Sequence, residues 1–208
     1  MALTANPTPE VDSEKYHEGR RLHFYHRGDE IPLLPEGVWQ VYRGVVQLST
    51  INPGGEEVVL GWAQPTTYFG LWLTCLQSYR AKALSDVYIR WFSQPEIESS
   101  PNLAQVMVNS LSRRTIQTEA MLAIAGQRRV EERLQQLLLL LKQELGQPLA
   151  EGVRLEVRLT HQNIANAIST TRVTVTRLLG DFQRRGYITI DSDRHIILTG
   201  DRWESLAH

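Results

Sequence analysis

The chain has 208 residues, enough for one or two domains with a sizeable hydrophobic core. Its 22 lysines and arginines are balanced by 23 aspartates and glutamates, so the protein as a whole is not a polycation. A single cysteine, Cys75, excludes an intramolecular disulfide framework and a multi-cysteine cluster within one chain. The N-terminal residues lack a signal-peptide apolar segment, and the apolar run 137–141 is too short to span a bilayer. We therefore expect a cytoplasmic protein without membrane contact.

The first half of the chain is rich in β-strand signals. Residues 1–20 carry little apolar material and are predicted to form a flexible leader. From residue 21 to residue 93, short runs of β-branched and aromatic residues alternate with turn sequences. The clearest runs are Val38–Tyr42, Val45–Thr50, Glu57–Trp62 and Val87–Phe92. Many short strands at this spacing predict a barrel or a sandwich, and the mouth of a barrel is a common place for a small ligand.

Two helices are predicted next. The first runs from Pro101 to Ala125, because proline is favoured in the first turn of a helix. Polar residues interrupt the apolar stripe in its middle, namely Ser110, Arg113, Arg114, Gln117 and Thr118. Gly126 predicts a bend before the second helix, Arg128–Leu145. The leucines of the run 137–141 cover every face of this second helix, so we expect it to be buried against both halves of the protein.

Residues 159–183 predict two short helices joined by a tight turn. Thr160 is suited to cap the first helix, and Thr171 is suited to cap the second, which begins at Arg172. Apolar residues recur at helical spacing in both helices and predict one core-facing stripe. These residues are Ile164, Ala165, Ile168, Val175, Leu178, Leu179 and Phe182. The arrangement is typical of a helix-turn-helix.

The opposite side of the second helix suits a reader of the DNA major groove. Arg172 and Arg177 can each fork onto guanine, while Val173 and Thr176 can place a methyl group against a thymine methyl. The segment 154–185 also carries six arginines against two carboxylates, a local positive charge that favours nucleic acid. The simpler alternative is that these arginines only solvate an amphipathic helix. The two threonine caps, the tight turn, the apolar stripe and the pair of arginines occur together in one segment. Because they coincide, we predict DNA binding.

A β-hairpin wing is predicted after this helix. Gly186 indicates the end of the helix, and two short apolar runs follow, Tyr187–Ile190 and His195–Leu198. The turn between them contains Arg194, which can approach a phosphate. It also contains two aspartates that would oppose this approach, Asp191 and Asp193.

Several segments carry a family resemblance. The strand-rich region contains Gly28-Asp29, the run 37–48, the run 54–57 and Phe69-Gly70, and together these resemble the β-roll of the Crp/Fnr family of transcription regulators. The sequence TTRVTVTRLLGD at 170–181 resembles the helix-turn-helix of the nitrogen-control regulators within that family. The resemblance implies an α+β fold: an N-terminal β-roll (a double-stranded β-helix of jelly-roll type), a long dimerisation helix and a C-terminal winged helix-turn-helix.

The resemblance also implies a division of the chain and a set of partners. After the leader, residues 21–125 would form the effector-type domain with its dimerisation helix at about 101–125. Residues 126–148 would form the connecting helix, and residues 149–208 the DNA-binding domain. The implied partners are double-stranded DNA, a second copy of the chain and RNA polymerase. The alternative for the long helix is a core helix of a monomer.

By the same resemblance, the DNA site would be a GTA…TAC-like palindrome bound by a homodimer. Arg172, Val173 and Arg177 are expected on base edges, with Thr176 on the same face. Phosphate contacts are expected from four other residues of this region, Thr160, Thr171, Thr174 and Arg184.

The sensory pocket differs from that of the cyclic-nucleotide-binding members. Those members use a Phe-Gly-Glu segment for the ribose and an Arg-Ser or Arg-Ala pair for the phosphate. Phe69 and Gly70 match, and Arg80-Ala81 matches the phosphate-binding pair, but Leu71 replaces the glutamate. A leucine would leave the buried ribose hydroxyl without a hydrogen-bond partner, at a cost of about 1–3 kcal/mol of binding free energy. This substitution disfavours cyclic AMP as the effector.

Arg80 could instead hold the carboxylate of a small anionic effector, such as the 2-oxoglutarate used by the nitrogen-control regulators. Two further residues are candidates for this pocket, Thr118 and Arg128. The alternative for Arg80 is a surface or structural ion pair.

Three other functions compete with this prediction. A regulator that works without an effector, or one that responds through haem or redox chemistry, would keep the same DNA-binding domain. Cys75 is expected to be buried and inert, and no cofactor is predicted. The third is an enzyme, but the sequence contains no Gly-rich phosphate loop, nucleophile elbow or recognisable pair of carboxylates, so an enzyme is not predicted.

Overall fold

Two antiparallel sheets form the N-terminal part of the protein. The computed structural model describes residues 22–199 and Trp203, so the predicted leader lies outside the described residues. The strands of the two sheets are β1 (His23–Tyr25), β2 (Gly37–Arg43), β3 (Val46–Ile51), β4 (Glu57–Ala63), β5 (Tyr68–Phe69), β6 (Arg80–Ala83) and β7 (Val87–Ser93). One sheet has the order β1-β7-β2-β5 and the other β4-β3-β6. The four predicted runs correspond to β2, β3, β4 and β7.

The two sheets share one hydrophobic core and do not close into a barrel. Trp39 of β2, Leu48 of β3 and Ile89 of β7 are almost fully buried in it. The indole Nε1 of Trp39 donates a hydrogen bond to the Pro32 carbonyl at 2.8 Å, which satisfies its polar group inside the core. The architecture is therefore the sandwich-like alternative among the sequence predictions.

Three helices follow the sheets: α1 (Gln94–Glu98), α2 (Pro101–Ala125) and α3 (Val130–Leu145). Helix α2 begins and ends at the predicted residues, and the Ser100 hydroxyl accepts a hydrogen bond from the Leu103 N–H at its N-terminus. Helix α3 begins two residues later than the predicted Arg128, because Arg129 has an extended backbone and forms the N-cap.

Two of the polar interruptions in α2 are buried against the sheets. The Tyr68 N–H donates to the Ser110 hydroxyl at 2.8 Å, and the Trp62 N–H donates to the Gln117 amide oxygen at 2.7 Å. Gln117 in turn donates to the Glu144 carboxylate of α3 at 3.0 Å. A Cβ on Gly61 would overlap the Gln117 amide, so glycine at this position allows the close approach. These side chains complete the hydrogen bonding of the sheet edge.

The leucines of α3 join the two halves of the protein. Leu134, Leu137, Leu138 and Leu141 are fully buried. Their cluster includes residues of the sheets, such as Val59 and Trp62, as well as residues of the C-terminal region, such as Leu178 and Phe182. The expectation that this helix is buried against both halves of the protein is confirmed.

The C-terminal region combines a four-stranded sheet with two helices. Its elements are β8 (Gly146–Leu149), β9 (Gly152–Leu155), α4 (His161–Ala167), α5 (Arg172–Arg184), β10 (Ile188–Ile190) and β11 (Ile196–Thr199). The sheet order is β10-β11-β9-β8, so the predicted wing hairpin is extended by two further strands. Among the described residues, no helix is long and apolar enough to cross a membrane.

Replacing Leu138 with alanine tests the shared core. The substitution leaves a cavity at a fully buried position, and we expect the free energy of unfolding to fall by about 2–5 kcal/mol. Urea unfolding followed by circular dichroism measures this loss. Leu149→Ala, at a side chain that is 41% exposed, is the control and should change stability little. Equal stability of the two variants would contradict the placement of Leu138 in the shared core.

Candidate nucleic-acid interface

Side-chain caps define both helices of the helix-turn-helix. The Thr160 hydroxyl accepts from the Asn163 N–H at 3.1 Å, and the Asn163 side chain accepts from the Thr160 N–H at 2.9 Å, which forms a capping box. At α5, the Thr171 hydroxyl accepts from the Thr174 N–H at 3.2 Å. Both caps are confirmed where the sequence predicts them. Thr160 and Thr171 are exposed and therefore remain accessible to a phosphate.

The apolar stripe of the two helices is buried as predicted. Ile164 and Ala165 of α4 are at most 1% exposed, and Val175 of α5 is fully buried. Leu178, Leu179 and Phe182 continue the buried face of α5. Because this face is fixed in the core, the opposite face of α5 is held towards solvent.

The exposed face of α5 is unusual in its chemistry. Val173 is 79% exposed, although it is an apolar residue on a helix with a well-packed core face. Arg172 and Arg177 are also exposed, and their guanidinium groups form no ion pair with the part of the chain that the structure describes. Apolar and cationic groups left free together at the start of a capped helix suit contact with base edges.

A basic groove of about 730 Å³ lies beside this face. It is lined by Arg158, His161, Arg172 and Arg194, among other residues of α4, α5 and the wing. Arg158 and His161 were not among the sequence-predicted site residues, although each lies within two residues of the Thr160 cap in sequence. The groove brings the wing and the helix-turn-helix onto one positively charged surface.

His161 also ties α4 to α5. Its Nδ1 lies 2.7 Å from the Thr176 hydroxyl, which itself donates to the Arg172 carbonyl at 2.9 Å. A hydroxyl has a single proton, so the Thr176 hydroxyl can donate to the Arg172 carbonyl and also bond to His161 only in the tautomer that carries its proton on Nδ1. Thr176 therefore lies on the exposed face of α5 and also helps to hold α4 against α5.

The arginines at the end of α5 have partners within the protein. Arg184 pairs with Asp181 at 2.7 Å, and Arg185 donates to Glu131 of α3 at 3.0 Å. Arg185 also stacks over the Tyr187 ring at 4.8 Å. A phosphate bound by Arg184 would have to compete with Asp181.

The wing turn is held by an internal ion pair. Arg154 of β9 donates to the Asp191 carboxylate at 2.6 Å, and the His195 N–H donates to the same carboxylate at 2.8 Å. The Arg154 hydrogen bond, followed by that from His195, lowers the pKa of Asp191. The repulsion expected between the Asp191 carboxylate and a phosphate is therefore reduced by Arg154. Arg194 at the turn is exposed.

The candidate effector residues are divided between the core and the surface. Phe69, Gly70 and Ala81 are buried, and Leu71 packs against the same core as Phe69 and Ala81. The Arg80 side chain is 52% exposed and lies 4.0 Å from the Glu30 carboxylate. Two others are exposed: Thr118, whose hydroxyl donates to the Arg114 carbonyl at 2.9 Å, and Arg128. Within one chain these residues are therefore divided between the buried core and the exposed surface.

Cys75 differs from the sequence expectation. It was expected to be buried, but it is exposed in the loop between Leu73 and β6, because no strand or helix places it in the core. Among residues 22–199 and Trp203, no group of three or more histidine, cysteine, aspartate or glutamate residues is arranged to hold a metal ion.

Comparison with known proteins decides the family. Residues 132–203 match the sequence family described as the Crp-like helix-turn-helix domain. The global nitrogen regulator of Synechococcus elongatus is 35% identical over 190 residues, which cover 87% of this chain and 83% of that protein. The regulatory protein CysR of the same organism is 37% identical over 162 residues, or 75% of each chain. The chain belongs to the Crp/Fnr family.

Solved Crp/Fnr structures share the fold. A CRP-family regulator of Thermus thermophilus superposes with a TM-score of 0.74 at 21% identity, and the match covers 88% of this chain and 94% of the other. FixK2 of Bradyrhizobium japonicum gives a TM-score of 0.74 at 20% identity, covering 90% and 96%. The predicted α+β fold class is confirmed. The relatives are Crp/Fnr transcription regulators rather than enzymes, and regulators of this family bind DNA and are dimers.

Acidification tests the wing ion pair. Because the pKa of Asp191 is depressed in the folded protein, its charge stabilises the wing above the ordinary carboxyl pKa of about 3.9, and this contribution is lost as the pH falls through the folded-state value. We expect Asp191→Asn to speed amide exchange in β10 and β11 at neutral pH. The difference from wild type should shrink at pH values below the folded-state pKa.

Asp193→Asn is the control, since the Asp193 carboxylate is 76% exposed and 3.9 Å from Arg154. It should leave the exchange pattern nearly unchanged. A pH-independent difference between Asp191→Asn and wild type would contradict this account of the wing.

Proposed function

We propose that this Crp/Fnr regulator binds a palindromic GTA…TAC-like DNA site as a homodimer. The exposed, unpaired face at the start of α5 carries the proposal, because Val173 is 79% exposed beside two arginines without ion-pair partners among the described residues. Arg172 and Arg177 would fork onto guanines, and the Val173 methyls would meet a thymine methyl.

Phosphate contacts would frame this base readout. The candidates are the cap residues Thr160 and Thr171, together with Thr174 and Arg184, while Thr176 lies on the base-reading face. The basic groove adds Arg158, His161 and Arg194 to this set. Such contacts set the orientation of the helix in the groove without reading sequence.

The outer face of α2 supports a homodimer. Val108, Ile116 and Leu122 are 53%, 65% and 73% exposed. They lie on the side of the helix away from Ser110 and Gln117, which face the sheets. Two copies of α2 packed along this face would bury the apolar side chains, and a palindrome requires two recognition helices about 34 Å apart. We further propose that the chain divides into an effector-type domain, a connecting helix and a DNA-binding domain at residues 125 and 148. A contact with RNA polymerase is also proposed.

A small anionic effector such as 2-oxoglutarate is proposed to control DNA binding. The relatives named global nitrogen regulators support this choice. A regulator without an effector is the second candidate. It is favoured by the position of Arg80, which is half-exposed and faces Glu30.

Replacing Arg172 with alanine tests base readout. Loss of a forked contact to guanine is expected to weaken binding by about 1–3 kcal/mol and to relax selection at one base position. Fluorescence anisotropy with a set of single-base variants of the site measures both effects. Arg113→Ala removes the same charge from an exposed position on α2 and should leave selection unchanged. Uniform weakening across all sequences would show that Arg172 contacts only phosphate.

Adding 2-oxoglutarate to the wild-type protein tests effector control. We expect DNA affinity to rise about fivefold or more, because an effector must bind the DNA-competent state more tightly than the other state. Cyclic AMP should have no effect, and Arg80→Ala should abolish the response. Affinity that is indifferent to both ligands would favour the regulator without an effector.

A further inference from the structure

A hydrogen-bonded network joins the sheets to the helix-turn-helix. The Gln47 amide of β3 donates to one Glu57 carboxylate oxygen at 3.1 Å, and the Asn166 amide of α4 donates to the other at 2.6 Å. The Gln162 amide donates to the Asn166 side-chain oxygen at 2.6 Å. We call these four residues the Glu57 network. It connects residues that are 109 positions apart in the chain.

The chemistry of the network fixes its direction. A carboxylate can only accept, so the NH₂ group of Asn166 must face Glu57 and its oxygen must face Gln162. Gln47 is only 1% exposed, and its own amide oxygen has no partner. Water therefore has little access to this end of the network, and loss of the Glu57 carboxylate would leave the buried Gln47 donor unpaired.

The surfaces beside the network are not packed together. A cavity of about 550 Å³ separates the β3–β4 turn, with Asn52 and Glu56, from the helix-turn-helix, with Ser169 and Thr171. The Glu57–Asn166 hydrogen bond crosses the interface beside this gap. At this edge the Glu57–Asn166 hydrogen bond therefore adds a directed polar contact to the apolar packing of the shared core.

We propose that Glu57 and Asn166 are positioning residues that hold the helix-turn-helix in a DNA-competent orientation. With the network formed, Arg172, Val173 and Arg177 are all exposed, so this orientation leaves the reading face open. A palindrome engages two such units at once, and orientational freedom in either unit lowers affinity. The inference rests on the proposed function, because its effect is expressed through DNA binding.

A charge exchange between the two positions tests the network. Asn166→Asp places two carboxylates against each other and should break the contact, lowering DNA affinity about tenfold, as expected for a lost hydrogen bond to a charged group. The double variant combines Glu57→Gln with Asn166→Asp. The amide introduced at position 57 can donate to the carboxylate introduced at position 166 and accept from Gln47, while that carboxylate still accepts from Gln162. This variant has the net charge of the wild type, and its affinity should return to within about twofold.

A matched control separates orientation from simple charge repulsion. Gln183→Asp adds the same charge at an exposed position of α5 that lies outside the network. Combined with Glu57→Gln it also has the wild-type net charge, but it should show no rescue beyond the sum of the two single effects. Equal rescue in both pairs would overturn the proposal, since the effect would then be one of charge alone.

Amide hydrogen exchange measured without DNA tests the Glu57 network independently of DNA binding. Exchange in β4 and α4 should rise in Asn166→Asp and return to the wild-type rate in the exchanged pair. Unchanged exchange, or a fall in melting temperature without loss of DNA affinity, would overturn the positioning role. If the wild-type protein failed to bind DNA while the exchange pattern followed the network, the proposed function would fail and the contact itself would stand.

Discussion

The burial of helix α3 between the two halves of the protein is the constraint on which the rest of the structure depends. Leu137, Leu138 and Leu141 have no exposed surface, and their cluster contains residues from both the sheets and the helix-turn-helix. Because a packed core tolerates few alternative arrangements, this helix sets how the two halves meet. Glu144 on the same helix accepts hydrogen bonds from Gln64 and Gln117, so polar contacts reinforce the apolar ones.

The proposed DNA-reading surface follows from that arrangement. The apolar stripe of α5 is buried in the core, so the opposite face of α5 is exposed to solvent. The basic groove connects this exposed face with the wing. Several charged groups near this surface are neutralised internally, as Asp191 is by Arg154 and Arg184 is by Asp181. Arg172 and Arg177 form no ion pair with the described residues, and in the proposed complex they would contact base edges.

Local signals in the sequence predicted much of this architecture. The helix-turn-helix was predictable because its caps and apolar spacing lie within about two dozen residues. Strands β1, β5 and β6 are not predicted by the sequence, since such short strands are stable only when paired with strands distant in the chain. The equally short β10 and β11 are predicted because they are neighbours in the chain and pair as a hairpin. The Glu57–Asn166 contact could not be predicted, because nothing in the sequence specifies which residues meet across the domains. Arg80 and Ala81 are separated for a local reason, since neighbouring residues on a strand alternate between solvent and core.

Selection from a randomised DNA library at fixed salt tests the central claim most directly. The wild-type protein should enrich sequences with two-fold symmetry, with half-sites one helical turn apart and a GTA-like core in each half. Such enrichment would support both the reading face of α5 and the homodimer. Binding without sequence preference would contradict the account, because the exposed arginines would then act only on the phosphate backbone.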